Sequence, residues 1–332
     1  MNKSQLIRRF RTYMLIISVS CGLLGYLAFH NLGFLKPVKG YVSSFAQDGL
    51  PILIFIMLFS AFCKVSIKEM KPKVWHFTLI GFQIIGSFAL ALYLAYNPHT
   101  PYLVPLEGAL ICIITPTAAS AAVLAGKLGG NESTLTTYTL MCNVAAALAI
   151  PLIFPLFSDV AQGSFLDQCV VILNKVFPVI VLPLFIAFMV RFFLKPVHKF
   201  IVTKLNDLGF YLWGFTLMVI SGKTFATIFN SQESAAYLWL LAFVGLLCTA
   251  MQFSLGKLMG HLEKQRITAG QALGQKNMVF GLWIALTYLS PTAAIAPGCY
   301  IIWQNVVNAY QMWYREQLLI KWQKEGKKPY QE

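Results

Sequence analysis

The sequence predicts an all-α, polytopic membrane protein: ten transmembrane helices in a five-plus-five inverted repeat, with the fourth and ninth helices broken. Three observations carry this expectation: composition, alternation of basic residues, and a pair of polar interruptions at matching places in the two halves. Of 332 residues, 58% are hydrophobic and only 11% charged, with a mean hydropathy of +0.66; an ordinary soluble domain carries about 25% charged residues. The basic start, Lys3, Arg8, Arg9 and Arg11, leads into an apolar run without a small-residue cleavage site. That run therefore reads as a first span, not a cleaved signal.

A bilayer core needs about 20 mostly apolar helical residues. By that ruler the spans are Tyr13 to Phe29, Gly49 to Val65, Val74 to Tyr96, Leu103 to Ala125, Leu135 to Phe157, Cys169 to Phe193, Leu208 to Phe229, Ala235 to Leu258, Ile267 to Leu289 and Ile295 to Trp313. Lys and Arg collect at the N-terminus, in Lys64 to Lys73, Arg191 to Lys204 and Lys257 to Arg266, and in the tail from Arg315. The intervening loops around Asn97, Asp159, Ser231 and Pro291 carry none; only the first outer loop, with Lys36 and Lys39, departs from the pattern. Basic loops stay on the cytoplasmic side, so both termini are expected in the cytoplasm and the chain in the inner, cytoplasmic membrane.

Ten spans divide into halves of five, and an odd number per half inverts one half relative to the other. In such repeats, interrupted helices at corresponding positions mark the binding site. The fourth span, LICIITPTAASAAVLAG, is broken at Thr115-Pro116-Thr117, where proline removes a backbone donor. Thr followed by Pro also reads as an N-cap and first helical position, so a new half-helix is expected to start there. The ninth span is broken by Gly274-Gln275-Lys276-Asn277, with Asn277 as a candidate N-cap.

Other classes fit less well. The net charge of +14 sits in short clusters between apolar runs, which is a topology signal and not a nucleic-acid surface. The seven cysteines are scattered singly, with no CxxC pair and no histidine at metal spacing, so no metal site or cofactor is expected. His30, His76, His99, His198 and His261 lie at or beyond span ends, which argues against an enzyme with converging intramembrane acid–base groups. A sensor would normally need a soluble output domain, and the cytoplasmic segments are too short for one.

With these features in view, the chain resembles the bile acid:sodium symporter family and its wider relatives among bile, arsenite and riboflavin transporters. The resemblance rests on the ten-span basic-inside pattern, LPILIFIMLFSAFCKV in the second span, Gln83 within LIGFQIIG, the proline-containing break in the fourth span and the G-x-x-N break in the ninth. It implies broken, crossing fourth and ninth helices in one integral membrane unit. A core subdomain (about 74–157 and 235–315) would work against a moving panel (about 12–66 and 169–230), followed by a cytoplasmic tail, 316–332. It also implies secondary transport of a small organic anion by alternating access.

The departures fall on the family's sodium sites. A Ser-Asn pair of the family is replaced here by Ala121 and Ala122, a ligand carboxylate by Ala272 and a ligand amide by Lys276, whereas Gln83 and Asn277 are kept. Sodium remains an option as coupling ion, and proton coupling or exchange is another.

Lys276 has three readings. It could snorkel, since it lies about nine residues, or roughly 13 Å, into its span. It could replace a bound cation among freed carbonyls. Between two half-helix N-termini it could also receive an anionic substrate. Gln271, Gln275, Asn277, Thr115, Thr117, Ser120 and Gln83 complete the candidate site at the breaks. Thr136, Thr139 and Asn143 recur on one face of the fifth span, and Asn305 and Asn308, beside Gln304, cluster in the tenth. Packing between helices is the competing explanation for both polar clusters. Lys175 and Lys223 are expected to snorkel near the outer ends of their spans.

Overall fold

The computed structural model describes residues 3–44, 48–65, 70–158 and 162–332. Parts of the expected inner segment Lys64 to Lys73 and of the outer loop around Asp159 lie outside them, as do the side chains of residues 3–12, Lys36 and Lys39. In chain order the α-helices are α1 (Lys3–Asn31), α2 (Lys36–Ser44), α3 (Leu50–Phe62), α4 (Val74–Tyr96), α5 (Leu103–Ile114), α6 (Ala121–Leu128), α7 (Glu132–Ile153), α8 (Phe165–Ile180), α9 (Leu182–Phe193), α10 (Lys195–Lys204), α11 (Leu208–Asn230), α12 (Ala235–His261), α13 (Arg266–Gly274), α14 (Met278–Tyr288) and α15 (Ile295–Lys324).

Among the described residues, six helical stretches are long and apolar enough to cross a membrane: Tyr13–Asn31, Val74–Tyr96, Glu132–Leu156, Phe165–Phe193, Leu208–Asn230 and Ala235–His261. The helices Leu50–Phe62, Leu103–Ile114 and Met278–Tyr288 are apolar but shorter. The chain is a multi-pass membrane protein. The expected fourth and ninth spans are each split into two half-helices. Pro116 accounts for the first break; the second falls at the polar run Gln275–Asn277.

The helices form two compact units. The first comprises Met1–Cys63 and Leu182–Ser234, the second Lys64–Val181 and Ala235–Glu332. The expected sixth span is thereby divided, with α8 in the second unit and α9 in the first. In the first unit α1 packs along α11, and α3 packs against α9 and α11. The α1–α11 contact is backbone on backbone: a Cβ on Gly22 would stand 2.6 Å from the Met218 carbonyl oxygen. The imidazole Nε2 of His198 lies 2.7 Å from the Cys63 carbonyl and ties α10 to the end of α3.

In the second unit α12 packs against α13, α15 and α5, while α4 and α7 pack against each other. Gly256 and Gly260 lie one turn apart on α12. A Cβ on Gly256 would clash with the Ala269 carbonyl oxygen, and one on Gly260 with the Gln265 carbonyl oxygen. Small residues at this spacing let helices approach closely in a membrane, where packing and polar contacts do the work that water does elsewhere. The contact places the short helix α13 deep in the unit, with every residue from Thr268 to Gly274 buried.

Candidate functional site

The site is built where the two breaks meet. α5 ends at Ile114, and Thr115, the residue before Pro116, has φ −56° and ψ 131°. A following proline ring drives its predecessor into this extended region. The segment then pairs with the break of the ninth span. Thr117 and Lys276 face each other in an isolated antiparallel bridge. The Ala118 N–H donates to the Gln275 carbonyl at 2.8 Å, and the Asn277 N–H donates to the Pro116 carbonyl at 2.8 Å.

This corrects the expectation that Thr115-Pro116 opens a half-helix. Thr115 closes α5, Pro116 spends its carbonyl on the bridge, and α6 begins only at Ala121. Asn277 does cap α14, its Oδ1 accepting the Phe280 N–H at 3.4 Å.

Each break frees carbonyls that a continuous helix would have bonded four residues on, and at membrane depth they need other partners. In α5 the Cys112 carbonyl would have bonded residue 116, a proline without an N–H. It accepts instead from Gln252 Nε2 at 3.0 Å. The Ile113 carbonyl accepts from Lys276 Nζ at 3.1 Å and the Ile114 carbonyl from Gln83 Nε2 at 2.7 Å. On the other strand, the Ala272 carbonyl accepts from Thr117 Oγ1 at 2.5 Å, and the Gly274 carbonyl from the Tyr300 hydroxyl at 2.8 Å. Gln252 Nε2 also reaches the Tyr300 oxygen at 3.2 Å, joining the two sets.

Lys276 is 1% exposed, so it does not snorkel. Its ammonium donates to Gln83 Oε1 at 2.9 Å as well as to the Ile113 carbonyl. Both acceptors are neutral. The charge instead meets the Ile113 carbonyl in the last turn of α5, at the negative end of a helix dipole. That is where cations are held at broken helices of transporters. Of the two half-helix starts expected to flank Lys276, α14 begins directly after the Asn277 cap, while Ser120, at the start of α6, is exposed and makes no cap bond. Gln83 serves both chains of the crossing. Its Nε2 ties the end of α5, and its Oε1 accepts from Lys276 and from the Cys142 thiol at 3.3 Å.

An amide ladder from α15 supports the other side. Gln304 Oε1 accepts the Lys276 N–H at 3.1 Å, Asn308 Nδ2 donates to Gln275 Oε1 at 2.5 Å, and Gln271 Nε2 donates to Asn308 Oδ1 at 3.1 Å and Gln311 Oε1 at 3.2 Å. Beside the crossing, Ala121, Ala122 and Ala272 join Trp75, Leu79, Leu135, Tyr138 and Leu273 in a buried apolar cluster.

Of the residues singled out from the sequence, Lys276, Gln275, Asn277, Gln271, Thr117, Gln83 and Asn308 come together here. The side chains of Thr115, Thr136, Thr139, Asn143 and Asn305 bond to carbonyls of their own helices. Gln252, Tyr300 and Cys142 escaped the sequence reading. Gln252 carried a usable signal, a lone amide deep in an apolar span; Cys142 and Tyr300 carried none. Lys175 is exposed, with its ammonium 5.8 Å from the centre of the Tyr288 ring.

A helical, multi-pass membrane protein with two half-helix pairs joined at a buried polar crossing is the class that these observations define. Among curated proteins, the chain is 24% identical over 319 residues to the uncharacterized sodium-dependent transporter YocS of Bacillus subtilis (strain 168), a match covering 91% of this chain and 90% of that one. No family model matches the chain.

Proposed function

We propose that this chain is a secondary active transporter of a small organic anion, working by alternating access through a ten-span inverted repeat with both termini cytoplasmic, and that the Lys276 ammonium stands in for a coupling cation. One observation carries the second half of this reading. The ammonium is buried against Gln83 Oε1 and the Ile113 carbonyl at the C-terminal end of a broken helix, a place suited to a metal cation.

The donor set does not fit sodium there. Sodium is a hard cation that wants several oxygen ligands. Two of the oxygens are taken by Lys276, and the neighbouring Ala121, Ala122 and Ala272 offer no side-chain oxygen. A fixed positive charge would hold the crossing permanently, without an ion to gain or lose in each cycle. Transport of an organic anion rests on the resemblance alone, and its partners would be the lipid bilayer, the anion and, for a proton-coupled cycle, protons.

A second reading, sodium-coupled transport, is favoured by the similarity to a sodium-dependent transporter along most of both chains. Proteoliposomes loaded with a panel of radiolabelled small carboxylates decide between them. Exchange or uptake that ignores a sodium gradient is expected. Strict sodium dependence of the native protein would overturn the stand-in role of Lys276 and leave the second reading.

A further inference from the structure

The segment that follows α15 returns to the far ends of the two half-helices. α6 runs away from the crossing and ends at Leu128, while α13 starts at Arg266 and runs toward it. Their distal ends already touch, because the Asn131 N–H donates to Thr268 Oγ1 at 2.8 Å. Glu332 sits on this junction. Its Oε1 accepts the Ile267 N–H at 2.6 Å, and its Oε2 accepts the Thr268 N–H at 2.9 Å and the Thr268 hydroxyl at 2.8 Å. Its own N–H donates to the Gly129 carbonyl, just past the end of α6, at 2.9 Å. Two residues earlier, the Tyr330 carbonyl accepts from Arg315 Nη2 at 2.7 Å. That guanidinium is itself buried and lies 5.1 Å from the centre of the Trp322 ring.

We infer that the segment 326–332 is an intramolecular latch: the Glu332 carboxylate grips the start of α13 while its backbone N–H holds the Gly129 carbonyl past the end of α6, so that release of the carboxylate frees the two ends to move apart. Two features point to a latch over ordinary packing. The hold is charge-assisted, since a carboxylate receives three hydrogen bonds at the positive end of a helix dipole. It is also almost purely polar. Residues 323–331 are exposed along their length, so no buried apolar side chain pins the segment, and segments of that kind open at low cost. A strong contact on a weakly anchored arm can be made and broken without disturbing the helices beneath.

Amide hydrogen–deuterium exchange of the full chain in lipid nanodiscs tests it. The variants are Glu332→Gln, Thr268→Val and, as a control in the same arm, Glu325→Gln, whose carboxylate pairs with exposed Lys321 and Lys327. In Glu332→Gln, exchange should rise about tenfold or more, both in peptides covering residues 265–270 and in those covering 126–131. Glu325→Gln should leave both unchanged, and Glu332→Gln should add little to Thr268→Val. Unchanged protection in Glu332→Gln would overturn the latch. So would a rise confined to residues 265–270, which would reduce Glu332 to a helix cap, or an equal rise in Glu325→Gln.

Discussion

Replacing Lys276 by Met keeps the length and apolar stem of the side chain and deletes the ammonium. The two charge-assisted hydrogen bonds to Gln83 Oε1 and the Ile113 carbonyl are lost, at roughly 1.5–3 kcal/mol each. Against this, the protein no longer bears the cost of holding a charge away from water, which is several kcal/mol. What persists is the penalty of the abandoned acceptors. The Ile113 carbonyl is left without this donor, and Gln83 Oε1 keeps only the thiol of Cys142. A buried unsatisfied acceptor costs about 1–3 kcal/mol; with the Ile113 carbonyl as the one acceptor left bare, the net loss is about 1–3 kcal/mol.

Lys276→Gln should lose a similar amount, but it places an amide oxygen beside Gln83 Oε1 and the Ile113 carbonyl, which restores oxygen ligands for a cation. Sodium at about 100 times its dissociation constant would then return about 2.7 kcal/mol. Thermal unfolding followed by tryptophan fluorescence, in sodium chloride against choline chloride at equal ionic strength, reads all three proteins. The native protein and Lys276→Met should ignore sodium, with Lys276→Met melting several degrees lower; Lys276→Gln should be low in choline and partly recovered by sodium. A native protein that sodium stabilises, or a Lys276→Met variant as stable as the native one, would refute the reasoning.

Three further predictions use the same melting assay. Thr117→Val strips the hydroxyl that bonds the Ala272 carbonyl and should cost about 1–3 kcal/mol. Tyr300→Phe removes the donor to the Gly274 carbonyl and one of two acceptors of Gln252, again for about 1–3 kcal/mol; a melt equal to native would mean that the carbonyl has another partner. Gly256→Ala drives a methyl against the Ala269 carbonyl oxygen and should destabilise by about 1–3 kcal/mol or more, whereas Gly81→Ala, with nothing within 4 Å of the added Cβ, should stay within about 0.5 kcal/mol.

By itself, the sequence determined what depends on neighbours along the chain. Apolar run lengths located most of the apolar helices, and the α4 bounds, Val74 to Tyr96, are the expected ones, whereas the short helices α2 and α10 fall between the expected spans. Pro116 and the polar run Gly274 to Asn277 located both breaks, and Asn277 is the cap that its position before an apolar run promised. Local rules failed where a distant group competed for the same atoms. Thr115-Pro116 has the makings of a helix start, yet the Pro116 carbonyl is claimed by the Asn277 N–H from the other half of the chain. The same holds for the polar faces: Thr136, Thr139 and Asn143 have the right spacing, but their shortest route to a partner is the carbonyl one turn back.

Only the tertiary structure decided where the charge of Lys276 goes. Nothing in GQALGQKN says that its ammonium turns to the carbonyl end of α5, or that Gln83, Gln252 and Tyr300 from three other helices divide the freed carbonyls among them. In a membrane each such carbonyl must find a donor, and the donors within reach are set by which helices pack together, a property of the folded unit that no local stretch of sequence contains.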